Sequence, residues 1–191
     1  MKKIILASGS PRRKMLLEQI GLNFEIDQSN YEEDMTLDMD PRELAKFLSL
    51  GKAKDVAQKH KDSIIISADT IVALDGEVFG KPKIAEKAKL MLQKFSGKPH
   101  SVITGFTIID TETGKEVSKS VETKVFFKNI SEKEIDAYIA TNEPLDKGGG
   151  YAIQGLAALF IEKIEGDYFN IVGLPLSPLT DELKNFGINI L

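Results

Sequence analysis

The chain contains no cysteine, and its 191 residues include only two histidines, His60 and His100. Without a thiol, disulfide scaffolds, thiolate zinc sites, iron–sulfur clusters and cysteine nucleophiles are excluded. Two imidazoles are too few for a poly-histidine metal site and leave little material for a Ser-His-Asp triad. His60 stands in a charged run near a helix end and His100 at a strand start, and both read as surface residues. Long apolar runs are also missing. None approaches membrane length, and Met1-Lys2-Lys3 is followed by only four apolar residues, far short of a secretory leader, so no membrane partner and a cytoplasmic location are expected. Positive charge is in the minority: 25 Lys and Arg against 29 Asp and Glu give −4, the wrong sign for holding nucleic acid by bulk electrostatics. A Walker A loop is absent too, because Gly76 to Pro82 is one residue short of that pattern and lacks its Ser or Thr. Phosphoryl chemistry on carboxylates, lysines and arginines remains open.

The composition is 42% hydrophobic and 28% charged, that of a globular protein with material for a sizeable core. Ile4 to Ala7 reads as a short buried strand broken by Ser8-Gly9-Ser10, with a helix to follow from Pro11, stopped at Gly21. From Glu25 to Glu43 eight acids face one base, Arg42, which predicts an exposed connection. Asp40-Pro41-Arg42-Glu43 opens a second helix, expected to run to about Gln58. Ile64-Ile65-Ile66 predicts a strand ending in Ser67 to Thr70. Ile71 to Leu74 continues as strand, and Asp75-Gly76 turns it into a hairpin. A helix follows over Ile84 to Phe95. Two long strands then flank Glu112-Thr113-Gly114, suggesting a hairpin lobe that protrudes around residues 100–128. A capping box at Ser131 to Glu134, a Gly-rich loop at 146–150, a strand over Ala157 to Ile164 and a helix from Ser177 complete the pattern. Strands alternating with helices early and hairpins late predict an α/β fold with a mixed sheet, in a single domain spanning 1–191.

Several residues carry chemistry. Arg12 and Arg13 fall in the first turn of the first helix, where the macrodipole is already positive. They either point to solvent or complete an anion pocket with the Ser-Gly-Ser turn. Lys52 interrupts the apolar stripe of Leu48 and Val56, as a snorkelling lysine or as a phosphate contact alongside Lys81. Asp69, read at the carboxyl end of a buried strand, is either a turn-capping residue or a carboxylate able to hold Mg²⁺ or act as general base. Gln154 offers a donor and an acceptor to a base edge, beside a glycine run that permits close backbone approach or simple flexibility.

Taken in order, Ser8-Gly9-Ser10-Pro11-Arg12-Arg13, Ala68-Asp69-Thr70, Gly80-Lys81-Pro82, Asp146 to Gly155 and Gly166-Asp167-Tyr168 to Val172-Gly173-Leu174-Pro175 resemble the Maf family of nucleoside triphosphate pyrophosphatases, also called septum-formation proteins. The Asp-Lys to Ile-Gln-Gly stretch is similar to the branch acting on dTTP and UTP. The resemblance implies a mixed, strongly curved sheet flanked by helices, related to the inosine-triphosphate pyrophosphatases, and cleavage between the α and β phosphates with a divalent cation of the Mg or Mn type. It implies Asp69 as proton acceptor, Arg12, Thr70 and Gln154 as selectors of substrate, Ser8, Arg13, Lys52 and Lys81 around the phosphates, and Glu33 with Asp69 near a metal. A homodimer is also implied. A nucleotide-sensing regulator of division without turnover is the rival reading. The chain departs from the family at Gly148, Gly150 and Ala152, where it usually has Ala, Ala and Gly. Glycines at 148 and 150 are expected to loosen the loop, and Ala152 adds a methyl where a glycine would permit positive φ.

Overall fold

The computed structural model describes residues 2–191. Its strands β1 (Lys3–Leu6), β2 (Glu25–Ile26), β3 (Ser63–Leu74), β4 (Glu77–Phe79), β5 (Pro99–Asp110), β6 (Glu116–Phe127) and β7 (Ile161–Glu165) form one open sheet in the order β2-β1-β3-β5-β6-β7, with β4 paired to β3. β1 runs parallel to β2 and β3, and the remaining pairings are antiparallel. The mixed α/β architecture is the expected one. The helices are α1 (Pro11–Gln19), α2 (Pro41–Ala57), α3 (Ala85–Phe95), α4 (Glu132–Ile139), α5 (Tyr168–Val172) and α6 (Leu176–Asn185).

Local chemistry accounts for the starts of two helices. The Asp40 side chain accepts from the Arg42 amide at 2.8 Å with Pro41 at the first helical position of α2, and Ser131 and Glu134 close both halves of a capping box on α4. α2 covers one face of the sheet. Its Leu44 and Leu48 pack on Ile71 and Ile103, and its Ala53 and Val56 on Ile5 and Ile65. Each large aliphatic side chain so buried stabilises the fold by about 1.5–3 kcal/mol. At Gly105 of β5 the helix backbone comes so near that an added Cβ would stand 2.1 Å from the Ala45 carbonyl oxygen, so only glycine fits. α1 and α6 cover the opposite face around Leu6, Ile66 and Phe106, and α3 and α4 continue that layer around Val72, Phe95 and Phe127.

Four expectations are corrected. The 100–128 hairpin forms, but β5 is paired along its length with β3 on one side and β6 on the other, so it lies within the sheet and does not stand out as a lobe. Asp69 does not stand at the carboxyl end of a strand but in the middle of one: the expected continuation over Ile71 to Leu74 joins the segment before it in a single 12-residue β3, supported by β5 from Ile64 to Ala73. Residues Leu156–Phe160 form a 3-10 turn, and the strand starts only at Ile161. His100 is buried, its ring stacked on Phe95 at 4.5 Å and its Nε2 2.7 Å from the Tyr151 hydroxyl, while His60 is partly covered and bonded to Asp27 at 2.7 Å. No helix among the described residues is long and apolar enough to cross a membrane.

Candidate active site

β3 places the central carboxylate through a gap in its own pairing. On one side it is bordered by β1 as far as Ile66 and by β4 from Val72 onward, so residues 67–71 have no strand neighbour there. Successive side chains of a strand point to opposite faces. Asp69 therefore joins Ile65 and Ile71 on the α2 face, and Thr70 joins Ile66, Ala68 and Val72 on the other. A cavity of about 570 Å³ lies at this gap and draws side chains from both faces.

The first wall is anionic and ammonium-bearing. Lys52 of α2 donates to Asp69 Oδ1 and lies 2.6 Å from Glu33 Oε1, bridging the two carboxylates. Burial pushes Glu33 up, but the charge and hydrogen bond of Lys52, helped by Lys81 and Arg13, outweigh it and leave the carboxyl below its ordinary range. The loop carrying Glu33 is strapped to the same helix. Ser29 Oγ and the Asn30 amide both donate to Asp55 Oδ2, at 2.9 and 2.8 Å. The Tyr31 ring lies over Gly51, where a Cβ would come within 2.4 Å of it. The acidic connection, expected to be exposed, is thus anchored at its centre by Gly51, Lys52 and Asp55. The polar break that Lys52 makes in the α2 stripe is what reaches the site.

The second wall is built on Arg13. Its Nε donates to the Gly173 carbonyl at 2.8 Å, Nη1 to Ser8 Oγ at 3.1 Å and Nη2 to Thr70 Oγ1 at 3.1 Å. Arg13 is therefore held from the end of β1, the middle of β3 and the turn after α5. Burial pulls this guanidinium below its ordinary value, opposed by Asp69, yet an arginine stays charged. Arg12 and Lys81 line the cavity and make no ion pair among the described residues. Both also border an adjoining cavity of about 640 Å³, with Gln154, Asp146 and Lys147. Of the nine residues named from sequence, Arg12, Arg13, Glu33, Lys52, Asp69, Thr70, Lys81 and Gln154 line the first cavity. Ser8 stands behind it through Arg13.

Sequence reasoning missed the apolar floor of Val72, Val102, Tyr151 and Ile171, and the Gly173 carbonyl. Val72 and Val102 read as strand residues, and Tyr151 and Ile171 lay inside the quoted motifs without a role. Gly173 lay inside a quoted motif but carried no role, because a carbonyl has no sequence signature. In the loop over Asp146 to Gly155, Gly149 sits at φ 67° with Val72 Cγ2 only 2.9 Å from where a Cβ would be, and Gly150 sits at φ 73°. Gly148 and Ala152 are not among the positive-φ residues, so the expected strain at Ala152 does not arise.

The donor set suits a polyanion. Four cations, Arg12, Arg13, Lys81 and Lys83, share one cleft with an ammonium-bridged carboxylate pair, and an apolar floor provides a surface for a planar ring. Among the described residues no group of three or more His, Cys, Asp or Glu side chains is placed to hold a metal ion. The sequence profile described as Maf-like protein matches residues 3–186. The chain is 51% identical over 193 aligned positions to a protein of Alkaliphilus oremlandii named dTTP/UTP pyrophosphatase, covering all of both chains. It is 50% identical over 191 residues to one of the same name from Methanosarcina barkeri, covering all of this chain and 97% of that one. It is also 50% identical over 186 residues to one so named from Bacillus cytotoxicus, covering 97% and 96%.

Proposed function

The chain belongs to the Maf-like family, and from that premise we propose that it hydrolyses dTTP and UTP to the nucleoside monophosphate and pyrophosphate. The observation that carries this reading is the gap in β3. It opens the buried Asp69 onto the cavity between a lysine-bridged carboxylate wall and an arginine wall, so a water and a chain of phosphates fit between a base and several cations.

In this mechanism Asp69 accepts a proton from a water that attacks the α phosphorus in line. A bond forms from the water oxygen to that phosphorus, the bridge to the β phosphate breaks, and pyrophosphate leaves with the bridging oxygen. Arg12, Arg13 and Lys81 neutralise the charge that grows on the leaving group, the dominant contribution in such transfers. Lys52 holds the Asp69 carboxylate in place through one of its oxygens. Arg12, Thr70 and Gln154 select the substrate in this proposal. Gln154 is exposed at the cavity edge, where its amide can read a pyrimidine edge above the floor of Val72 and Val102.

A divalent cation of the Mg or Mn type fits the residues present. Glu33 and Asp69 are hard oxygen donors that already converge on one ammonium, and such ions commonly take one or two protein carboxylates and complete their shell with phosphate oxygens and water. When bound, the cation supplies further charge neutralisation across the phosphates. A homodimer and a cytoplasmic location belong to the same proposal, with sedimentation and cell fractionation as their tests.

The deciding experiment measures pyrophosphate against orthophosphate release over dTTP, UTP, CTP and GTP. Pyrophosphate as first product, fastest with dTTP and UTP, is expected. Asp69→Asn should abolish release while nucleotide binding persists. Tight binding with no turnover in the unmodified chain would instead favour a nucleotide-sensing regulator, and full activity in Asp69→Asn would remove Asp69 from the mechanism.

A further inference from the structure

Behind the arginine wall the Thr70 hydroxyl is backed by a second, buried hydroxyl, that of Thr104, which has no part in the proposed reaction. Thr104 of β5 is fully buried, and its Oγ1 donates to the Asn170 carbonyl at 2.8 Å. Thr70 Oγ1 lies 2.9 Å from Thr104 Oγ1. A hydroxyl has one proton. The Thr104 proton is committed to Asn170, so Thr70 must be the donor in its bond with Thr104. Thr70 in turn accepts from Arg13 Nη2. The polarity of the whole row follows: Arg13 donates to Thr70, Thr70 to Thr104, and Thr104 to the Asn170 carbonyl. The hydroxyl proton of Thr70 is thereby turned away from the cavity, and only a lone pair is left toward it.

Asn170 fixes the same wall from a second direction. It is fully buried in α5, and its Oδ1 accepts from the Thr104 amide at 3.1 Å. Its Nδ2 donates to the Val102 carbonyl and to Thr123 Oγ1, each at 2.9 Å. These bonds seat α5 on β5 and β6. Three residues later Gly173, at φ 124°, presents the carbonyl that accepts from Arg13 Nε. Two of the three bonds that hold the Arg13 guanidinium, those to Thr70 and to Gly173, therefore trace back to Thr104 and Asn170. Neither of these residues lines the cavity.

We propose that Thr104 and Asn170 are positioning residues that set the direction of the Arg13 guanidinium and hold the Thr70 hydroxyl as an acceptor toward the substrate. The consequence is chemical as well as geometric. An acceptor-only Thr70 favours a substrate N–H and offers nothing to a phosphate oxygen, while Arg13 keeps its remaining N–H groups for the phosphates. Removing the Thr104 hydroxyl frees the Thr70 proton to turn into the cavity and competes with that arrangement. The inference rests on the pyrophosphatase reading for nucleotide binding in this cavity, and on turnover for one of its two assays.

The test is a double-mutant cycle on Thr104→Val and Thr70→Val, with Thr104→Ser as the conservative variant, read by dTTP turnover and by calorimetric binding of a non-hydrolysable dTTP analogue. Thr104→Val is expected to lower kcat/KM and weaken analogue binding about tenfold or more, Thr104→Ser to restore both, and Thr104→Val to add less than about twofold in a Thr70→Val background. Equal loss in both backgrounds, or no recovery with Thr104→Ser, would overturn the proposal. If the unmodified chain binds the analogue but releases no pyrophosphate, the enzymatic reading fails, and the binding arm still decides on Thr104. Should Thr104→Val not fold, hydroxyl-proton exchange in the unmodified protein decides instead. A Thr70 hydroxyl proton protected from solvent and close to Thr104 supports the row, and one in rapid exchange overturns it.

Discussion

Replacing Lys52 by methionine tests how the carboxylate wall is held. The lysine side chain is 12% exposed, Asp69 7% and Glu33 45%. Methionine fills most of the aliphatic volume of lysine, so the substitution removes chiefly the ammonium. It leaves Asp69 as a carboxylate almost out of water with its cation gone, and Glu33 facing it without the charge between them. Removing one partner of a buried pair destabilises by about 3–5 kcal/mol. Because Glu33 remains nearly half exposed and can turn to water, the lower end applies, about 3 kcal/mol. For a chain of this length that corresponds to a fall in Tm of roughly 6–12 °C. Asp69→Asn alone should cost only about 1 kcal/mol, since Lys52 keeps Glu33 at 2.6 Å. The double variant should therefore recover part of the loss, standing above Lys52→Met by about 1 kcal/mol or more, because it removes the orphaned charge. Urea unfolding of the four proteins at pH 7 measures all of these values. A Lys52→Met protein as stable as the unmodified chain, or a double variant whose loss is the plain sum of the single losses, would refute the idea that Lys52 is the cation on which the Asp69 carboxylate depends.

Burial pushes His100 down to about 4, against a smaller opposing pull from the Lys98 backbone, so the ring is neutral in the folded state at pH 7. The unfolded chain takes up that proton near pH 6.5, so between about pH 6.5 and 4 it binds more protons than the folded one, and stability falls as pH falls through that window. The loss should approach about 3 kcal/mol at its acid end, and His100→Phe should flatten the dependence in urea midpoints measured from pH 7 to 4. Gly149→Ala puts a side chain at φ 67° and into Val72. It is expected to cost about 1–3 kcal/mol and to weaken nucleotide binding by displacing the loop that carries Gln154, whereas Ala152→Gly should leave base preference nearly unchanged. Thermal melts and calorimetry on the two variants separate these outcomes.

Short-range signals explain why so many elements were legible in the sequence. Asp40-Pro41 and the Ser131 to Glu134 box start α2 and α4 where expected, and Asp75-Gly76 turns β3 into β4. Three of the candidate site residues were legible because they broke a local rule, whereas Ser8, Glu33 and Thr70 were reached only through the resemblance to the family. Arg12 and Arg13 put cations at the positive end of a helix, and Lys52 put an ammonium in an apolar stripe. What local rules could not show was pairing at a distance. The 99–127 hairpin looked free because its two strands are adjacent in the chain, while its place in the middle of the sheet depends on β3, some 30 residues earlier. His100 looked exposed because nothing beside it in sequence reveals Phe95, Phe127 and Tyr151 closing over it.

Composition sets the chemistry available to this protein: no thiol, scarce imidazole, and a few cations set against a carboxylate in an acidic chain. Tertiary structure alone decided how that chemistry is arranged. The end of β1 and the start of β4 leave five residues of β3 unpaired on one side, and strand alternation sends Asp69 and Thr70 to opposite faces at that gap. An ammonium from α2 and a guanidinium from α1 then meet across one cavity. The physical reason is that periodicity along a chain fixes which face a side chain takes, whereas the partner on that face comes from whichever segment the packing of the whole core brings there.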